Sequence, residues 1–267
     1  MVAVFRCAFN LYAFLLLSIV LTAISIKLAY WQFLFPSSLG VDNLEFWRAL
    51  LWGGKFDLAI GALYSFFALL FILVFGHLPK YRLTLLVLSW FSASLLSVGD
   101  LIYFTDAGRH LSYEIKDFLS EGDALVAQAF NKYLYPISVL SLLLGLISIP
   151  VYTVARRLAA LKLSRAIVAR SLSLFVALIA SVIALRGGVT GLPMSPLSVY
   201  AIGDALKANI ATNGAYNITY ALLKKEKGKV ERIAIASPPS GAANLQTLLP
   251  QQAFVEGAPR AKNLVIL

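Results

Sequence analysis

Five long runs of apolar residues, separated by short polar segments, dominate the pattern of hydrophobic and polar positions along the chain. A helix needs about 20 apolar residues to cross the hydrocarbon core of a bilayer, within a range of about 17 to 25. Each run meets this requirement, the last one if Arg170 extends its long side chain to the headgroups. We therefore predict five membrane-spanning helices, at about 8–30, 58–75, 83–104, 133–154 and 167–185.

The composition agrees with a membrane protein. Hydrophobic residues make up 60% of the 267 positions and charged residues 13%, whereas soluble domains carry about 25% charged residues. So few charges could not cover a water-exposed surface, and the excess apolar surface is expected to face lipid. The apolar run after Arg6 exceeds the ~7–15 residues of a signal-peptide core and shows no clear cleavage motif, so we expect the first helix to be retained.

The distribution of basic residues predicts the orientation of the spans, because cytoplasmic loops carry an excess of Lys and Arg. The loops on the N-terminal side contain no Asp or Glu and hold Arg6, Lys80, Arg82, Arg156, Arg157, Lys162, Arg165 and Arg170. The short loops on the other side hold Arg48, Lys55, Arg109, Lys116 and Lys132. We predict a cytoplasmic N-terminus and an extracytoplasmic chain from Arg186 onward. The net charge of +10 is in part a consequence of this bias, and nucleic acid is not an expected partner.

Both predicted outer loops show amphipathic patterns. The loop at about 31–56 is rich in aromatic residues and is predicted to hold a short helix in the headgroup layer. Gly53-Gly54 is interpreted as a turn. A lipid-headgroup site formed by Arg48 and Lys55 is the alternative. The loop at about 105–132 has apolar residues at helical spacing and is predicted to lie on the outer surface. Its His110 is expected to be solvated; phosphate binding together with Arg109 is the alternative.

After the fifth span the chain changes character. We predict an extracytoplasmic juxtamembrane helical segment at 187–236, in which residues 197–224 show helical periodicity interrupted by Asn209, Asn213, Gly214 and Asn217. Residues 237–259 read as a linker rich in Ser, Pro, Gly, Gln and Ala. The apolar run at 263–267 is typical of a buried parallel strand. Because a strand needs a neighbour, residues 237–267 are interpreted as a linker and the first strand of a further domain.

The sequence therefore predicts an all-α polytopic membrane protein. It has five transmembrane helices in a domain at 1–186, outer amphipathic interfacial helices, and a mostly irregular C-terminal tail.

The chain offers no constellation of catalytic residues. It has two histidines, His77 and His110, on opposite predicted sides of the membrane, and a single cysteine, Cys7, which excludes an intramolecular disulfide. No set of residues has metal-ligand spacing, and no glycine-rich phosphate loop is present. A self-contained enzyme is not expected.

Four charged residues at the predicted outer membrane border are the candidates for a structural or headgroup-contacting role: Asp57, Asp100, Arg109 and Arg186. Charges at helix ends are commonly anchors. The alternative is a polar cluster that organises the outer face, with Asp100–Arg186 or Asp57–Arg186 as its ion pair.

Four segments, in chain order, carry a resemblance to a known family. They are Gly53-Gly54-Lys55-Phe56-Asp57-Leu58 at the second span; residues 100–104 with Gly108, Arg109 and Glu114 after the third; Arg186-Gly187-Gly188 with Pro193, Asn209, Asn213 and Tyr216 after the fifth; and residues 259–267. Together they resemble the membrane half of the lipoteichoic acid synthase and phosphoglycerol transferase family, within the sulfatase-like enzymes of the alkaline phosphatase superfamily.

The resemblance implies a membrane anchor of a phosphoglycerol or phosphoethanolamine transferase, acting on lipid headgroups at the outer face of the bacterial cytoplasmic membrane. It implies a divalent metal such as Mn or Mg and a threonine nucleophile in an outside catalytic domain. The family's catalytic residues would follow residue 267, so no catalytic, cofactor or metal residue is assigned here. Expected partners are membrane lipids, including anionic phospholipid, and a catalytic domain or full-length relative.

Two other functions stay open from the sequence. One is a stand-alone membrane scaffold or regulatory module. The other is a transporter subunit, which the absence of an internal repeat and of an ionisable residue near a predicted span centre disfavours.

Overall fold

The protein forms a bundle of long apolar helices. The computed structural model describes residues 2–35, 39–76, 78–115, 122, 130–161 and 167–223, with side chains from residue 7 onward. Within these ranges the chain is helical and has no strands, and five helices are long and apolar enough to cross a membrane, which confirms the predicted all-α fold with five spans. They are α1 Val2–Ala29, α2 Leu44–Phe75, α3 Pro79–Ala107, α4 Leu134–Ala159 and α5 Ile167–Arg186.

Helix α1 lies at the centre of the bundle, where it contacts the other four long helices. Hydroxyl groups tie the helices together: Ser181 Oγ of α5 donates to the Ala62 carbonyl of α2 (3.0 Å), so Tyr12 of α1 must donate its own proton to Ser181 Oγ (2.9 Å). Helices α4 and α5 are peripheral. Their outer faces are strongly apolar and exposed, as expected for surfaces that face lipid, with Leu142, Leu146, Ile149, Val168, Leu172 and Phe175 as examples.

Helix α2 differs from the prediction at its N-terminal end. Its 32 residues run without a break from Leu44, so the expected short interfacial helix is the first part of α2, and Gly53-Gly54 is helical rather than a turn. Asn43 starts the helix, since its Oδ1 accepts from the Glu45 backbone N–H at 2.9 Å. Asp57 therefore lies in the interior of a long helix. The predicted interfacial helix of the second outer loop falls mostly outside the described residues.

The chain after α5 folds back onto the long helices. A 3₁₀ helix, Pro196–Ile202, precedes two short helices, α6 Ala205–Ala211 and α7 Gly214–Leu223. The predicted helical periodicity of this region is thus observed within the described residues. Helix α6 packs on α2, and α7 packs on α3 and α2. We call Ala205–Leu223 the α6–α7 segment. The predicted linker and strand at 237–267 lie outside the described residues.

Two glycines allow the α6–α7 segment to approach the long helices closely. A Cβ atom at Gly53 would overlap the backbone of Ala211 in α6, and a Cβ atom at Gly214 would overlap the Asp100 carboxyl group of α3. Glycine is therefore required at Gly53 for contact between the backbones of α2 and α6, and at Gly214 to leave room for the Asp100 carboxyl group. Gly54, one residue along α2, has open space around its Cα atom.

These neighbours form a matched pair for mutation. Gly53→Ala should lower the free energy of unfolding by about 1–3 kcal/mol, because the methyl group must displace the backbone of α6. Gly54→Ala should leave stability unchanged or raise it by up to about 1 kcal/mol, since alanine favours the helix and meets nothing. Thermal unfolding of both variants in detergent micelles measures the difference. Equal midpoints for the two variants would contradict the close contact between α2 and α6.

Candidate functional site

A buried ion pair joins α1, α2 and the α6–α7 segment. Lys27 Nζ lies 2.7 Å from Asp57 Oδ1, with side chains that are 7% and 0% exposed. Asn213, between α6 and α7, donates its Nδ2–H to the same carboxylate oxygen at 2.6 Å. The other Asp57 oxygen, Oδ2, is buried without a hydrogen-bond partner within the described residues. A buried charge needs such partners, because its desolvation costs several kcal/mol.

Asn213 has a second function at the start of α7. Its Oδ1 accepts from the Tyr216 backbone N–H at 2.9 Å, which satisfies one of the free donors of the first turn. These two bonds fix the orientation of the amide, with the oxygen toward α7 and the nitrogen toward Asp57. One side chain thus connects the start of α7 to the buried carboxylate of α2.

Tyr216 packs the same end of α7 against α2. Its ring meets Phe56 edge-on at a centroid distance of 5.2 Å. Its hydroxyl donates to the Met194 carbonyl at 3.0 Å. Burial raises the pKa of Tyr216 to about 12, with the charge of neighbouring Tyr220 as a second cause. The phenol therefore keeps its proton, and this hydrogen bond persists throughout the neutral range.

A second buried cluster lies at the C-terminal end of α3. His110 Nδ1 lies 2.6 Å from Asp100 Oδ2, and both side chains are nearly inaccessible, at 6% and 2% exposed. The Leu111 backbone N–H donates to Asp100 Oδ1 at 2.7 Å. His110 Nε2 is 3.0 Å from the Asn209 carbonyl of α6. The histidine therefore bridges α3 to the α6–α7 segment.

The two clusters face a common cavity of about 10 Å³, whose lining includes Lys27, Asp100 and Asn213. A single water molecule needs about this much space. An organic substrate would not fit. The described geometry is that of a closed polar contact between helices.

The four sequence candidates separate into two groups. Asp57 and Asp100 both lie against the α6–α7 segment and are almost fully buried. Arg109 is mostly exposed and pairs with Glu114 at 2.6 Å. Arg186 ends α5 and donates from Nη2 to the Gly191 carbonyl at 3.0 Å. The hypothesis of an Asp57–Arg186 or Asp100–Arg186 pair is wrong, because Lys27 and His110 occupy those positions.

The residues that complete the site were missed by sequence reasoning. Lys27, near the end of the first predicted span, was not among the candidates, and His110 was expected to be solvated. Asn209 and Asn213 were noticed as interruptions of a helical pattern and as part of the family resemblance, and Gly214 as an interruption alone. A detectable signal existed for Lys27, because it sits at helical spacing on the same face of α1 as the buried residues Val20 and Ala23.

A divalent metal finds no site in the part of the chain that the structure describes. No group of three or more His, Cys, Asp or Glu side chains is arranged there to hold an ion. No reaction step through the metal implied by the resemblance is therefore assigned to these residues.

Comparison of the chain with protein-family models, with curated proteins and with solved structures found no match. The site is therefore interpreted from its own geometry.

The energetic weight of the Lys27–Asp57 pair can be measured directly. Lys27→Met should lower the free energy of unfolding by about 3–5 kcal/mol, because it leaves a buried carboxylate without its cation. The double variant Lys27→Met/Asp57→Leu should recover most of this loss, since no buried charge remains. Chemical unfolding in micelles is the measurement.

Lys132→Met is the matched control, because it removes the same charge from an exposed pair, Lys132–Asp106. It should have a much smaller effect, since water screens that pair. A double variant as unstable as Lys27→Met alone would show that the charges are not the cause.

Proposed function

We propose that this chain is the membrane-anchor domain of a sulfatase-like transferase that moves phosphoglycerol or phosphoethanolamine headgroups at the outer face of a bacterial cytoplasmic membrane. The proposal rests on the resemblance described above and on one structural observation. The chain that leaves α5 is held against α2 and α3 by buried polar contacts through Asn213 and His110. A segment held in this way gives whatever follows Leu223 a fixed point of attachment.

The contacts support an anchoring role better than a transport role. Buried ionisable residues in a membrane protein commonly mark an ion or substrate path, and Lys27, Asp57 and Asp100 favour that second candidate. Each of them, however, is engaged by a partner at hydrogen-bond distance. The cavity beside them has a volume of about 10 Å³. A site of this size holds a water molecule at most, which favours a structural function.

The transferase proposal is tested with the protein encoded by the whole reading frame that contains this chain. We expect the frame to supply a carboxylate directly after residue 267 and a threonine nucleophile further on. The purified protein, in vesicles of phosphatidylglycerol or phosphatidylethanolamine with Mn²⁺, should release diacylglycerol.

Replacing that threonine by alanine should abolish the release without changing the thermal midpoint. A reading frame that stops at once, or an intact protein that leaves both lipids unchanged, would overturn the proposal.

The proposed orientation places the basic loops in the cytoplasm and the start of α6 outside. In a Cys7→Ser background, Arg109→Cys should react with a membrane-impermeant maleimide on intact cells, because residue 109 would lie outside. Lys80→Cys should react only after the cells are permeabilised. Both residues are largely exposed, so protein packing does not block either thiol. The opposite labelling pattern would reverse the topology and remove the outer-face assignment.

A further inference from the structure

The hydrogen bonds of His110 define where its protons lie. Nε2 faces the Asn209 carbonyl oxygen at 3.0 Å. A carbonyl oxygen can only accept, so Nε2 must carry a proton. The position of one imidazole proton is therefore determined by the contact with α6.

The contact between His110 and Asp100 requires one more proton. Nδ1 and Asp100 Oδ2 are 2.6 Å apart, and two lone pairs cannot face each other at that distance in a buried site. Either Nδ1–H donates to a carboxylate, or a protonated carboxyl group donates to Nδ1. The number of protons is the same in both forms. The Asp100–His110 pair thus holds one proton more than its fully deprotonated state and has no net charge.

The nearby charged and titratable groups do not supply the proton of the Asp100–His110 contact, because each is engaged by another partner. Lys27 of α1 lines the same cavity as Asp100, but its ammonium group is bound to Asp57 of α2 at 2.7 Å. Tyr30, after α1, bonds to Thr105 at 3.0 Å. Arg109, on the same loop as His110, pairs with Glu114.

The other neighbours of the pair named by the described contacts are uncharged. The α6–α7 segment presents the Asn209 carbonyl and Gly214, and Phe104 of α3 places its ring 4.7 Å from the imidazole. Loss of the shared proton would leave one imidazole N–H to serve both the Asp100 carboxylate and the Asn209 carbonyl.

We propose that Asp100 and His110 form a binding site for a single proton, and that this proton fastens the α6–α7 segment to α3. When hydroxide removes the proton, the neutral imidazole keeps one N–H for two acceptors, the Asp100 carboxylate and the Asn209 carbonyl. One of the two contacts then places lone pair against lone pair, and His110 no longer joins α3 to α6. The segment is docked while the pair is protonated and opens as the pH rises. This inference is independent of the transferase proposal, because its tests do not measure headgroup transfer.

The first experiment measures the protonation state of His110 in a variant that keeps both residues of the Asp100–His110 pair. The sequence has two histidines, so His77→Gln leaves His110 as the single imidazole for ¹⁵N-histidine NMR in micelles. We expect Nε2 to be directly protonated, and we expect a slowly exchanging, strongly downfield proton from the Asp100–His110 contact at neutral pH, whether it is bound to Nδ1 or to the carboxyl oxygen. A spectrum without such a proton would overturn the proposal.

The opening of the segment is measured with a buried cysteine. In a Cys7→Ser background, Ala215→Cys places a thiol at a position of α7 that is 0% exposed. Its rate of reaction with maleimide, divided by that of the exposed control Leu222→Cys on the same helix, reports the open fraction. This ratio should rise by about tenfold or more between neutral and alkaline pH, since local opening exposes the thiol.

The variant Asp100→Asn tests whether the proton, rather than the shape of the side chain, controls the opening, because asparagine has nearly the same shape as aspartate. The amide keeps an oxygen for the Leu111 N–H and permanently donates an N–H to His110 Nδ1. The labelling ratio of this variant should stay low from neutral to alkaline pH. A rise equal to that of the parent would place the titrating group elsewhere and overturn the proposal, as would a parent ratio that does not depend on pH.

Discussion

The buried charge of Asp57 is the constraint on which the arrangement around the α6–α7 segment depends. A carboxylate removed from water is tolerated only when a cation and hydrogen-bond donors replace its hydration. Its neighbours on the same face of α2, Gly53 and Gly61, have no side chain that could do so. The cation therefore comes from Lys27 of α1, and the second donor comes from Asn213. A single acidic residue thus brings three separate parts of the chain to one point.

Polar contacts have particular weight in a bundle surrounded by lipid. Apolar side chains gain little by leaving lipid for protein, so close packing and interhelical hydrogen bonds hold such helices together. The Tyr12–Ser181–Ala62 chain and the bond from Trp90 Nε1 to Thr22 Oγ1 at 3.0 Å are of this kind. The clusters at Asp57 and Asp100 follow the same principle, with charges in place of hydroxyls. Glycine at 53 and 214 then lets the backbones come near enough for these contacts to form.

The long helices could be predicted from the sequence because membrane thickness sets their length and lipid sets their composition. The start of α2 could not, since amphipathic residues before Asp57 read as an interfacial helix and Gly53-Gly54 read as a turn. Hydropathy does not distinguish a helix that ends from one that continues along another protein surface. The structure shows α6 covering this part of α2.

The sequence identified the two acidic residues of the candidate site but not their partners. Asp57 and Asp100 were identified because they are charged residues at the predicted outer membrane border. Their partners were not, because pairing depends on contacts between residues far apart in the chain, such as the 156 positions between Asp57 and Asn213. Arginine was the expected partner of each acid, yet a lysine and a histidine occupy these positions. Periodicity carries no information about which side chain reaches across a helix interface.

The dual bonding of Asn213 has a consequence for how the protein assembles. Helix α7 has ten residues, and isolated helices shorter than about 12–15 residues are marginal in water. Its first turn is capped by the same amide that binds Asp57, so the cap is held in place only after Lys27 and Asp57 have met. The C-terminal end of α1 and the interior of α2 must then be in register before α7 becomes stable. Biogenesis would proceed in two stages, with insertion of the long helices first and the ordering of α6 and α7 as the step that completes the domain.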